Sequence, residues 1–117
     1  MTLHTLSSGS QGNCLLLSDG GTHILVDAGI STRRIKTGLA QLELSMDELD
    51  GILITHEHTD HISGLATLIK HHTVPLYASP GTARQLAYRL AGVEPLLRPR
   101  DPGTEFCIGS CRVTAFA

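Results

Sequence analysis

The densest group of potential metal ligands in the sequence lies in residues 56–61, which read His56-Glu57-His58-Thr59-Asp60-His61. Three imidazoles and two carboxylates stand within six positions, and a packed core tolerates that density only when the groups are paired, solvated or bound to cations. Imidazole nitrogen and carboxylate oxygen suit zinc, manganese or iron(II). The stretch therefore predicts a metal site, and the alternative is a solvated loop or a structural acid–histidine cluster.

The surrounding sequence predicts that this site lies on a loop between a strand and a helix. Residues 51–54 form an apolar run typical of a buried strand, and apolar residues recur with helical spacing over residues 60–71. Side chains two positions apart in a loop that leaves a strand can point the same way. His56 and His58 can therefore bind one cation.

Asp60 and His61, which turn into the predicted helix, can face a second cation. Two neighbouring divalent ions can activate a water molecule at neutral pH and clamp a scissile phosphoryl or carbonyl group. Asp60 would both bind the second ion and orient the attacking water, which makes it the predicted catalytic residue. The pattern thus indicates a hydrolase that needs no protein nucleophile.

The rest of the sequence predicts strands and helices mixed within one α/β or α+β domain. Predicted strands cover residues 2–6, 13–18, 22–27, 51–54 and 75–78, and a final hairpin covers 105–108 and 111–117. Predicted helices cover residues 31–42, 60–71 and 80–91, with Ser31 and Ser79 as N-caps. Residues 94–103 are predicted to be a Pro- and Arg-rich connection.

Composition and charge bear on the expected cellular compartment and on the expected class of binding partner. The formal net charge of -2 gives no global basic field, so affinity for nucleic acid must come from a local patch or bound metal. No signal-peptide pattern and no apolar run of roughly 18 residues is present, so we expect a cytoplasmic protein without membrane contact. The odd set of Cys14, Cys107 and Cys111 indicates reduced thiols rather than a disulfide framework.

The run HEHTDH, followed by Gly64, resembles the HxHxDH signature of the metallo-β-lactamase superfamily. The resemblance implies a four-layered αββα sandwich with a mixed sheet and flanking helices. It also implies that the first two histidines of the run bind one metal ion, while its aspartate and last histidine bind the other. These roles fall on His56, His58, Asp60 and His61.

Two further segments resemble the YycJ/WalJ-like subgroup of that superfamily, which is associated with DNA exonuclease activity and related to RNase Z and RNase J enzymes. They are SSGSQGNC at residues 7–14 and ILVDAG at residues 24–29. Within the second segment, Asp27 resembles the family's earlier aspartate, which braces the metal loop without binding the metal.

The resemblance covers the first part of the family's pattern. Full members are longer, and their later half supplies a third histidine for the first metal, a bridging aspartate and a last histidine. Here no histidine follows His72, and the only aspartate after His61 is Asp101. We therefore expect residues 1–117 to form a single domain, the N-terminal half of the fold, truncated at its C-terminus. The inner face of its sheet would be exposed and could form a homodimer.

The leading hypothesis is a metal-dependent hydrolase of the metallo-β-lactamase fold that acts as a phosphodiesterase. The resemblance favours a 5′ exonuclease with a nucleic acid substrate, DNA more than RNA, and two divalent ions, Zn²⁺ or Mn²⁺. One alternative is a thioester or lactam hydrolase of the same fold, because the HxHxDH run builds the cation site rather than the substrate pocket. Another is a catalytically incomplete metal-binding or interaction fragment.

Overall fold

The structure is a computed structural model that describes residues 1–8, 12–56 and 59–114, leaving out the side chains of Thr59 and Asp60. Its strands are β1 (Thr2–Ser7), β2 (Cys14–Asp19), β3 (Thr22–Val26), β4 (Gly51–Leu53), β5 (Leu76–Ala78), β6 (Leu97–Pro99), β7 (Glu105–Ile108) and β8 (Cys111–Thr114). The first six form one sheet in sequence order. Pairing is antiparallel from β1 to β3 and parallel from β3 to β6. The last two form a separate hairpin.

Four α-helices connect these strands in the described chain. They are α1 (Thr32–Gln41), α2 (Thr59–Ile62), α3 (Leu65–His71) and α4 (Pro80–Arg89), with short 3-10 turns at Met46–Glu48 and Glu94–Leu96. Both predicted N-caps are confirmed, because the hydroxyls of Ser31 and Ser79 accept hydrogen bonds from the backbone N–H groups of Arg34 and Thr82. Among the helices of the described chain, none is long and apolar enough to cross a membrane.

The two faces of the six-stranded sheet pack against different partners. One face and the helices enclose the main core, which includes Leu16, Leu25, Ile35, Leu39, Ile52, Leu65, Leu68, Leu76 and Leu86. On the other face, a smaller apolar cluster joins the sheet to the β7–β8 hairpin through Leu17, Ile24, Leu53, Tyr77, Phe106, Ile108 and Cys111. Helices, sheet and hairpin therefore form successive layers, and the predicted mixed α/β class is confirmed.

The predicted helix over residues 60–71 is wrong as one element, because the chain forms α2 and α3 with a break between them. Gly64 lies at the break, and its N–H donates to the carbonyl of Ala28 at 2.8 Å. A Cβ at this position would collide with the backbone carbonyl oxygen of Ile30. A tertiary contact with the turn after β3 therefore interrupts the apolar periodicity that predicted a continuous helix.

The predicted connection over residues 94–103 is also wrong, because it contains β6, which pairs in parallel with β5. β6 is three residues long, lies at the sheet edge and ends at Pro99. Proline has no backbone N–H, and an edge strand tolerates it because the sheet loses no hydrogen bond there. Helix α4 ends at Arg89 rather than at residue 91. The last predicted strand ends at Thr114 in the described chain, and residues 115–117 lie outside it.

Candidate metal centre

The stretch predicted to bind metal follows the carboxyl end of β4, which lies between β3 and β5 in the parallel part of the sheet. Binding sites of open α/β sheets lie at the carboxyl ends of such strands. The rings of His56 and His61 have centroids 5.1 Å apart and planes inclined by 52°. Two predicted ligands therefore meet here. His58 and the side chain of Asp60 lie outside the described residues.

A buried carboxylate, that of Asp27, connects the two sides of this site. Its side chain accepts the backbone N–H of Thr55 on Oδ1 at 2.8 Å and the Thr55 hydroxyl on Oδ2 at 2.7 Å. His61 Nδ1 lies 2.7 Å from the same Oδ2. Asp27 therefore joins the end of β4 to the helix that carries His61. The bracing role predicted for Asp27 agrees with these contacts.

The Asp27 contact determines which nitrogen of His61 is available to a cation. An ionised carboxylate only accepts hydrogen bonds, so Nδ1 of His61 carries the shared proton. The lone pair of the neutral ring then lies on Nε2. A histidine that binds metal commonly donates its other ring N–H to a carboxylate or carbonyl, which fixes its tautomer and orientation. His61 is thus oriented to bind a cation through Nε2.

Thr55 extends the same arrangement to His56. The Thr55 hydroxyl donates its hydrogen to Asp27. In the contact with His56 Nδ1, 3.1 Å away, Thr55 Oγ1 is therefore the acceptor and Nδ1 is the donor. The lone pair of His56 is therefore also on Nε2. Thr55 was not among the site residues predicted from the sequence, where its one visible signal is a hydroxyl residue immediately before the histidine run.

Backbone contacts hold the turn after β3 against the segment that follows the predicted site. The N–H of Ala28 donates to the carbonyl of His61 at 2.8 Å, and the Ser63 hydroxyl donates to the carbonyl of Gly29 at 2.5 Å. Asp27 itself has a φ of 65°, a left-handed conformation that aspartate and asparagine tolerate better than most residues. The turn thus positions the Asp27 carboxylate and the main chain of α2 together.

Comparison with known proteins identifies the fold around this site. A family model described as the metallo-beta-lactamase superfamily matches residues 8–113. The chain belongs to this superfamily. The resemblance inferred from HEHTDH and Gly64 is therefore confirmed, and so is the fold class that it implied.

Relatives within the metallo-β-lactamase superfamily include two exodeoxyribonucleases. The chain is 35% identical over 114 residues to "Exodeoxyribonuclease YycJ" of Bacillus anthracis, covering 96% of this chain and 41% of that protein. It is 44% identical over 77 residues to "Exodeoxyribonuclease WalJ" of Streptococcus pneumoniae, covering 66% of this chain and 29% of that protein. The predicted resemblance to the YycJ/WalJ-like subgroup is thus confirmed, although the chain spans less than half the length of either relative.

Solved metallo-β-lactamases share the backbone arrangement. The chain superposes on the Rm3 metallo-beta-lactamase with a TM-score of 0.78 and 27% identity, covering 98% of this chain and 48% of that one. It superposes on metallo-beta-lactamase SMB-1 bound to 2-mercaptoethanesulfonate with a TM-score of 0.80, covering 98% of this chain and 50% of that one. The second pair is 21% identical and shows the fold alone.

The metallo-β-lactamase fold implies divalent metal ions, and the described residues fit such ions. Among the residues whose side chains the structure describes, no group of three or more His, Cys, Asp or Glu could hold an ion, and two of the predicted ligands lie outside that set. The two predicted histidine ligands that it does describe, His56 and His61, have Nδ1 within hydrogen-bond distance of Thr55 and Asp27. Imidazoles oriented in this way have the donor chemistry that zinc prefers.

Cys14 lies near the site but does not have the chemistry of a ligand. Its side chain is 1% exposed. Burial, reinforced by the negative charge of Asp27 and opposed by Arg34, raises the pKa of the Cys14 thiol to about 12. The thiolate is the metal-binding form of cysteine, so Cys14 stays a neutral core residue at physiological pH.

We expect Asp27→Asn to lower metal affinity by about 10- to 100-fold, the usual cost of losing a group that orients a ligand. Asparagine keeps an oxygen for the Thr55 N–H and tolerates the left-handed φ. However, an amide NH2 in place of Oδ2 would donate toward His61 Nδ1 and move the ring proton to Nε2. Isothermal titration with Zn²⁺ measures the change.

The matched control for this substitution is Asp50→Asn. Asp50 Oδ2 accepts one backbone N–H, that of His23, at 2.8 Å in an exposed position. It therefore reports the effect of replacing a hydrogen-bonded carboxylate away from the candidate site. Equal Zn²⁺ affinities for Asp27→Asn and Asp50→Asn would contradict the bracing role.

Proposed function

We propose that the chain belongs to a metal-dependent phosphodiesterase that degrades DNA from its 5′ end. The observation that carries the proposal is the convergence of His56 and His61 on one place, both held by the Asp27 network at the carboxyl end of β4. The similarity to two proteins named as exodeoxyribonucleases favours a nucleic acid substrate over a thioester or a lactam. We place this activity in the cytoplasm.

His56 and His58 hold one divalent ion in this proposal, and Asp60 and His61 hold the second. Bound Zn²⁺ or Mn²⁺ would supply Lewis acidity toward the phosphodiester. Either ion would also lower the pKa of water toward neutrality. The protein's own groups position those ions and the substrate. Asp27 keeps a proton on His61 Nδ1, and Thr55 does the same for His56, so that both rings present Nε2 to the cations.

Asp60 is the group that handles the water molecule in the proposed reaction. As the one carboxylate among the four ligands, it accepts a hydrogen bond from the attacking water and turns its lone pair toward phosphorus. The short helix α2 (Thr59–Ile62) fixes its main chain, since the carbonyl of His61 accepts the N–H of Ala28. Asp60 is therefore the proposed catalytic residue.

The test compares linear and circular DNA with and without metal. Protein treated with EDTA and then supplied with Mn²⁺ or Zn²⁺ should release mononucleotides from a 5′-phosphorylated linear duplex. It should release none from a closed circular duplex, which has no end, and none while EDTA is present. Degradation that EDTA leaves unchanged, or that is equal on both substrates, would rule out a metal-dependent exonuclease.

A second candidate is a chain that binds metal without turnover. It is favoured by the ligands that the HEHTDH run itself offers, which are two for each ion. A catalytic site needs enough ligands to fix each ion and an open position for water. Equilibrium dialysis that finds at least one bound Zn²⁺ per chain, together with no mononucleotide release, would support this candidate.

A further inference from the structure

A groove of about 740 Å³ opens beside His56. It is lined by Thr55 and His56, by Arg100, and by the β7–β8 hairpin through Phe106 and Val113. This volume lies within the roughly 300–1,000 Å³ of ordinary ligand pockets. The groove is therefore large enough for a small ligand, and it leads directly to the candidate metal centre.

Arg100 is held in place by two aromatic rings of this groove. Its guanidinium carbon lies 5.3 Å from the ring centroid of Tyr77 and 5.2 Å from that of Phe106. The two rings stack on each other with centroids 5.3 Å apart and planes 15° apart. A guanidinium within about 6 Å of an aromatic centroid is attracted by the ring quadrupole, so the two rings favour this orientation of the side chain.

The charge of Arg100 is not neutralised by the described part of the protein. Its Nη1 donates to the carbonyl of Pro99 at 2.9 Å, but no carboxylate of the described residues forms an ion pair with it. Asp101 lines the same groove and does not pair with it. By contrast, Arg112 on the hairpin pairs with Glu105 at 3.2 Å. The groove thus holds an oriented cation that no carboxylate among the described side chains neutralises.

We propose that Arg100 binds a backbone phosphate of a DNA strand whose nucleotide lies in this groove, with Tyr77 and Phe106 positioning the guanidinium. The identity of the occupant rests on the proposed function. A planar guanidinium matches the oxygens of a phosphate bidentately. The apolar walls suit a base, because nonspecific binding of single strands combines cationic groups with aromatic surfaces. Arg100 would thus determine how the strand enters the site.

The test measures binding without catalysis. A fluorescent single-stranded oligothymidylate is titrated with protein in EDTA, and its anisotropy gives the dissociation constant at several KCl concentrations. Each phosphate contact on a single strand contributes about 0.7 to the slope of log K against log salt. Arg100→Gln should therefore lower this slope by about 0.7 and weaken binding by about 5- to 10-fold at low salt.

Three variants separate a phosphate contact from a structural effect. Arg112→Gln removes the same charge from an exposed, already paired arginine and should leave the slope unchanged. Arg100→Lys keeps the charge and should keep the slope, while loss of the bidentate fork weakens binding. Phe106→Leu should also keep the slope, and affinity should fall about 2- to 5-fold because the cation–π contact is lost.

Several results would overturn the proposal. The first is that the wild-type protein does not bind the oligonucleotide. The second is that the slope of log K against log salt for Arg100→Gln equals that of the wild type or that of Arg112→Gln. Because EDTA is present throughout, the result does not depend on metal or on hydrolysis. Failure of the metal-dependent nuclease and failure of the Arg100 contact are therefore distinguishable.

Discussion

Asp60→Asn is expected to lower metal-dependent DNA hydrolysis by about 100- to 10,000-fold, the range over which a positioned general acid or base usually acts. Asparagine has nearly the same shape, but it carries no negative charge and its NH2 group cannot accept the proton of an attacking water. The measurement is the rate of mononucleotide release from a 5′-phosphorylated duplex at saturating Mn²⁺. Saturating metal keeps a loss of ion binding from accounting for the whole effect.

The control for Asp60→Asn is Asp47→Asn, whose side chain is 94% exposed. It makes the same carboxylate-to-amide change away from the candidate site and should retain the wild-type rate. A parallel Zn²⁺ titration should show that Asp60→Asn binds less metal than Asp47→Asn. Should both variants hydrolyse DNA at one rate, Asp60 would have no place in the mechanism.

The sequence predicted the parts of the site that are local in the chain. His56 and His61 are five residues apart, and the strand before them and the helical segment after them are clear from apolar spacing. The role of Asp27 came from the family resemblance rather than from spacing. Thr55 lies 28 positions and His61 lies 34 positions after Asp27 in the sequence. No local pattern indicates which distant carboxylate will contact a histidine.

Two features that were not predicted, β6 and the Arg100 stack, depend on tertiary contacts. β6 has three residues and an apolar content too low for periodicity to detect, and its pairing with β5 makes it a strand. The Arg100 stack combines residues from two sheets, Tyr77 on β5 and Phe106 on β7. Arg100 was part of a predicted connection, so its relation to the groove could be found only once the sheet edge and the hairpin were placed.

Gly64→Ala is expected to destabilise the fold by about 3 kcal/mol, the upper part of the range for overpacking in a close-packed interior. The added Cβ would collide with the carbonyl oxygen of Ile30 and would lie 3.1 Å from that of Ala28. Both are backbone atoms, which cannot rotate away as a side chain can. Relief requires α3 to move from the turn, which breaks the Gly64 N–H bond to Ala28. The midpoint of urea unfolding measures the loss.

Gly81→Ala is the matched control, because it adds the same methyl group in the first turn of α4. There the nearest atom to a Cβ is Arg84 Nη2 at 3.9 Å, an ordinary contact. Alanine in a compatible helical position stabilises a protein by about 0.4–1 kcal/mol, so the two substitutions should shift the urea midpoint in opposite directions.

Because the turn that Gly64 contacts also positions Asp27 and the main chain of His61, the fraction of Gly64→Ala that remains folded should bind Zn²⁺ more weakly than Gly81→Ala. Equal urea midpoints for the two variants would contradict the predicted collision with the Ile30 carbonyl, and equal Zn²⁺ affinities would mean that the Gly64 contact does not hold the metal loop in place.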